Sequence, residues 1–159
     1  MRKLRRGSCG AAVGSVCMYH HCAYVHATPQ VSFGEPTSIK FSVPYGDVVY
    51  VSNTDPSYIS AMDLTAPDMH TSVLVGQDGS SGAAPGVGTN ARFDSARSMA
   101  ITGDGRLMYI ADDGEDLIVK VDLRTREMTV VAEVDNEAWD LAVSPDGSVL
   151  YYSDGDSLT

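Results

Sequence analysis

Apolar and polar positions alternate in short runs along most of the chain, and turn residues break the runs every few positions. The clearest unit lies in the middle. Ser98-Met99-Ala100-Ile101-Thr102 alternates, Gly103-Asp104-Gly105 reverses the chain, and Leu107-Met108-Tyr109-Ile110-Ala111 is unbroken and apolar. Alternation with period two marks a strand with one buried face, whereas a short continuous apolar run suits a strand covered on both faces. Gly and Asp tolerate the positive φ that tight reversals require. Asp112-Asp113-Gly114-Glu115-Asp116 is a polar turn, 117–122 a third strand, 124–127 a turn, and 128–132 a fourth, outer strand. The pattern predicts an all-β chain of four-stranded antiparallel units.

The unit recurs. Ala100-Ile101-Thr102-Gly103-Asp104-Gly105 through Asp112 returns 42 positions later as Ala142-Val143-Ser144-Pro145-Asp146-Gly147 through Asp154. An earlier copy aligns Phe33-Gly34-Glu35-Pro36 with Phe93-Asp94-Ser95-Ala96, Tyr50 with Tyr109, and Met62-Asp63-Leu64 with Val121-Asp122-Leu123. Periods of about 40–50 residues with turn-punctuated strands belong to propeller blades and similar arrays. Four antiparallel strands is the blade count of a propeller. The expected organisation is blade one over 33–75, a Gly-rich loop over 76–92, blade two over 93–133, and the start of blade three over 136–159. That loop holds five glycines. A phosphate cradle would need a helix after it, and a strand follows instead. Closed propellers have about four to eight blades. A fragment of a longer propeller is therefore expected, with self-association as another way to cover open blade faces.

These residues resemble NHL repeats. The resemblance rests on Gly88-Thr89-Asn90-Ala91-Arg92-Phe93, Ala100-Ile101, Asp104-Gly105, 107–112 and Val121-Asp122-Leu123. It implies an NHL-like β-propeller with partners bound on a loop face. After the Ala-Asp pair the family usually continues with Gly-Asn and a basic residue; here Gly114-Glu115-Asp116-Leu117 stands instead. Ser144-Pro145-Asp146-Gly147 is similar to a turn of other propeller families. Trp139-Asp140 is no WD repeat, because it opens a strand and no Gly-His precedes it.

Charge is divided unevenly. Residues 1–34 hold Arg2, Lys3, Arg5 and Arg6 and no acid, whereas 35–159 hold all 21 acids against 7 bases. Such an acidic surface repels phosphate backbones, so nucleic acid is not an expected partner. No run reaches the roughly 18–20 apolar residues of a spanning helix. Residues 1–27 follow the layout of a targeting segment: a basic start, the mildly apolar stretch 10–19, and Val25-His26-Ala27 as a cleavage motif. A secretory signal peptide is expected, giving a secreted or cell-surface protein; a mitochondrial presequence is the alternative. Cys9, Cys17 and Cys22 all lie in this segment. Cys17, His20, His21, Cys22 and His26 lack the paired spacing of a zinc site.

In an up-and-down blade, the loop before the first strand and the loop between the second and third emerge on one face. That face collects Arg97, Asp112, Asp113, Glu115, Asp116, Glu137, Trp139 and Asp154, the expected interaction residues. Trp139 is of a type that anchors interfaces, or else packs beside Leu141 in the core. The 112–116 acids depart from the alternating ligand spacing of a calcium loop. No nucleophile–base set is available in the repeat region, which has no cysteine and only His70. The expected function is a non-catalytic scaffold that binds a protein partner through the acidic face, without cofactor or metal. The alternative is part of a metal-dependent propeller enzyme, lactonase- or lyase-like, with its catalytic residues on other blades.

Overall fold

A computed structural model describes residues 35–42, 44, 46–66, 70–77 and 82–154. The expected targeting segment with its cysteines, Phe33-Gly34 at the head of blade one, and the residues from Gly155 onward lie outside the described residues. Eleven strands follow in order: β1 (Pro36–Phe41), β2 (Val48–Thr54), β3 (Ser57–Asp63), β4 (Thr71–Gly76), β5 (Gly86–Val87), β6 (Ala96–Ile101), β7 (Leu107–Asp112), β8 (Leu117–Asp122), β9 (Glu127–Glu133), β10 (Asp140–Val143) and β11 (Leu150–Ser153). β1-β2-β3-β4 form one antiparallel sheet, β6-β7-β8-β9 a second, and β10-β11 a hairpin. The first strands of the three sheets are neighbours, β1 beside β6 and β6 beside β10.

The reversal after each first strand uses one hydrogen-bond scheme. Thr102 Oγ1 donates to Asp104 Oδ1 at 2.6 Å and accepts the Leu107 amide at 3.0 Å. Ser144 repeats both contacts with Asp146 and Val149, at 2.6 and 2.9 Å. Ser42 does so with Asp47 and Val48, in a turn one residue longer. Gly105 and Gly147 close these turns at φ +69° and +72°, a region that side chains with a Cβ avoid.

Blade two is covered on both sides, as its continuous apolar strands predict. Phe93, Met99, Met108, Ile110, Val119 and Val121 pack with Tyr50, Ile59, Leu74 and Val75 of blade one. Ala100, Ala111 and Ile118 pack with Ala138 and Leu141, joined by the half-buried Val143, Leu150 and Tyr152. Burial of this kind contributes roughly 25 cal/mol per Å² of apolar surface removed from water. Polar links join the blades as well. Thr37 Oγ1 donates to the Ala96 carbonyl at 3.1 Å, the Ala96 amide donates to Ser57 Oγ at 3.1 Å, and Ser98 Oγ donates to Asp140 Oδ1 at 2.7 Å.

Within the glycine-rich stretch, residues 82–92 are more regular than their composition suggests. Gly86 and Val87 pair with Met128 and Glu127, adding β5 as a fifth strand outside β9. A 3₁₀ turn over Gly88–Asn90 follows, and Ala84 bridges Arg92. Composition reads this stretch as loop because glycine carries no periodicity. Its order comes from backbone pairing, which covers part of an edge that would otherwise stand open.

Candidate functional site

At the start of β6 the register jumps from Ala96 opposite Asp112 to Ser98 opposite Ala111. Arg97 is the extra residue, and such a bulge bends the strand and re-aims the extra side chain. β1 does the same at Thr37, between Pro36 opposite Asn53 and Ser38 opposite Ser52. Trp139 holds this place in blade three, its amide donating to the Ser153 carbonyl at 2.8 Å just ahead of the Asp140–Ser153 pair. One rim position per blade is thereby displayed: Thr37, Arg97 and Trp139.

Arg97 and Trp139 meet. The guanidinium carbon lies 5.4 Å from the indole centroid, within cation–π range. Arg97 Nη1 donates to Asp113 Oδ2 at 2.8 Å and lies 3.6 Å from Glu137 Oε2. Trp139 remains 53% exposed, so it is a surface residue and not part of the core beside Leu141. The structure therefore brings Arg97, Asp113, Glu137 and Trp139 together.

Asp112 lies beneath them. It is buried, and its carboxylate accepts the Asp94 amide at 3.1 Å and the Ser95 amide at 2.7 Å. The Asp113 amide donates to the Ser95 carbonyl at 2.9 Å. Burial pushes the Asp112 carboxyl above its usual range, the two amides oppose this, and Asp94 and Glu115 add to it. Asp112 thus holds the lead-in of blade two and does not present itself to a partner. Glu115 and Asp116 are exposed on the turn that begins at Asp113. Asp116 sits at φ +53°, and its carbonyl accepts the Val134 amide at 2.8 Å. Asp154 follows β11, half-buried and itself engaged in a polar interaction.

Two participants carry no sequence signal of their own. Asp94 packs against Gly114 so closely that a Cβ on that glycine would fall on the Asp94 carboxylate. Asp140 receives the Ser98 hydroxyl across the blade boundary. Grooves lie nearby among the described residues. One of about 290 Å³ is lined by Lys40, Phe41, Ala100, Ile101 and 141–143; one of about 230 Å³ lies between the Asp104 and Asp146 turns. Among the described residues, no group of three His, Cys, Asp or Glu side chains is placed to hold a metal ion.

Comparison of the sequence with protein families and with curated proteins gives no match. Solved structures do match. A Bacteroides thetaiotaomicron structural-genomics protein of unknown function aligns with TM-score 0.64 at 16% identity, over 77% of this chain and 34% of its own. The β-propeller domain of Myceliophteria thermophila Cps50 (Swd1) aligns with TM-score 0.58 at 14% identity, over 80% of this chain and 35% of its own. The chain folds as β-propeller blades. Kuenenia stuttgartiensis hydrazine synthase also matches this propeller segment, with TM-score 0.58 at 22% identity, over 82% of the segment and 32% of the synthase chain. The segment spans about a third of the length of these structures. Its blades therefore correspond to part of each.

Proposed function

We propose that this propeller segment is a non-catalytic scaffold that binds a protein partner through the rim carrying Arg97, Asp113, Glu137 and Trp139. The observation that carries the proposal is the half-exposed Trp139, fixed in place by Arg97. A large aromatic held rigid by its neighbours loses little freedom on binding, which suits an anchor. The test is affinity capture with the full chain and with Trp139→Ala as paired baits, their far-ultraviolet circular dichroism and thermal unfolding matched first. Proteins retained by the first and lost by the second are expected. An identical set on both baits contradicts the proposal.

Export belongs to the same proposal, since residues 1–27 have a signal-peptide layout. Amino-terminal sequencing of protein recovered from the medium is expected to start at Thr28. A mitochondrial pool starting elsewhere would favour the alternative address. A second function, as part of a metal-dependent propeller enzyme, keeps its place because one structural neighbour is a hydrazine synthase. Inward-facing histidines on further blades would favour it.

A further inference from the structure

We infer that the partner of this rim is a basic segment, an extended stretch bearing arginine or lysine, with one of its cations stacked on Trp139. The inference rests on the scaffold reading above and names the chemistry of its partner. Turn carboxylates alone would mean little, because such groups are ordinarily solvated. The indole adds a separate observation. It already carries a guanidinium at 5.4 Å, that of Arg97, while more than half of its surface faces water. The ring is therefore in a setting where a cation is the bound species, and it has surface left for another.

Charge points the same way. Arg97 is engaged by Asp113 at 2.8 Å and faces Glu137 at 3.6 Å, so its own charge is answered within the site. Glu115, Asp116 and Asp135 are exposed nearby in sequence on the same loops, and Glu137 is 61% exposed at its side chain. The rim stays acidic after Arg97 is counted. An incoming cation gains both the quadrupole of the indole face and the field of these carboxylates, and an acidic segment meets repulsion from the same groups. Arg97 acts here as a positioning residue: its stacking and its ion pair set the angle of the ring.

Trp139 is the chain's one tryptophan, so its fluorescence reports on this site alone. The full chain is titrated with a dodecapeptide of alternating Arg, Gly and Ser, and in parallel with its counterpart in which every Arg is Glu. Saturable change in emission with the basic peptide is expected, with affinity falling on the order of tenfold between low and physiological salt. Glu137→Lys is expected to weaken binding by about fivefold or more, read by calorimetry as well as by fluorescence. Trp139→Ala, also read by calorimetry, is expected to weaken it by about fivefold to tenfold.

Binding of the acidic peptide in place of the basic one, lost in Trp139→Ala, overturns the basic-partner inference and leaves the scaffold proposal standing. Failure of both peptides to bind also overturns it, and the scaffold proposal then rests on the capture experiment. Binding of the basic peptide that is unchanged in both Glu137→Lys and Trp139→Ala places it elsewhere and overturns the inference too.

Discussion

Asp112 and Asp146 are both repeat aspartates that accept backbone amides, and burial separates their behaviour. Asp146 is exposed and accepts from the Ser144 hydroxyl and from the amide and hydroxyl of Ser148, which pulls its carboxyl down to about 2. Its stabilising effect is present above the ordinary carboxylate range and is lost as pH falls toward about 2. Asp112 has the opposite sign. The native state holds its proton to higher pH than the unfolded chain does, so its contribution falls as pH rises from the ordinary range through the raised native value. Asp112→Asn keeps an acceptor without the charge, and blade one already has Asn53 at this place. Chemical unfolding across pH 3 to 8 is expected to show that pH dependence flattened in Asp112→Asn. Asp112→Ala leaves two amides without their acceptor and is expected to cost about 1–3 kcal/mol. Equal stability of the Ala and Asn variants would contradict this role.

At the scale of elements, the strands were legible because period two and continuous apolar runs separate one-sided from two-sided burial. β6 to β9 fall where the alternation of 98–102 and the runs after it place them. The turns of blades two and three were legible too, since Ser or Thr, Asp and Gly recur there at fixed offsets. Three things were not. β5 is held by backbone pairing alone, so no side-chain pattern marks it. The bulge at Arg97 is a register shift between two strands, invisible in either strand by itself. Asp112 reads as one acid among four in a polar turn, and only packing shows that it turns inward. Blade contact also depends on an unremarkable glycine: a Cβ at Gly103 would lie 2.6 Å from the Pro145 carbonyl oxygen of blade three. Gly103→Ala is expected to push the hairpin of blade three outward at a cost of about 1–3 kcal/mol. Phe93→Ala, which empties the fully buried seam between blades one and two, is expected to cost about 3–5 kcal/mol. Denaturant unfolding checks both, and Gly103→Ala at wild-type stability would contradict the blade contact.

For the whole molecule, stability comes from blades covering one another. The β10–β11 hairpin turns Leu141 and Tyr152 onto blade two, while Ala142 and Tyr151 point the other way, Tyr151 being 46% exposed. Self-association through this face is expected to show as concentration-dependent sedimentation that Tyr151→Lys reduces; a monomer at all concentrations would contradict it. The acidic balance opposes such association at low salt. The order of stability along the chain tests the stacked-blade account most directly. Amide hydrogen exchange on the full chain is expected to be slowest in β7 and β8, which lie inside a sheet covered on both faces, and faster in β10 and β11. The Asp94 and Ser95 amides, outside any strand, are expected to be slow as well because Asp112 holds them. Uniformly fast exchange, or rapid exchange at Asp94 and Ser95 beside slow strands, would contradict it.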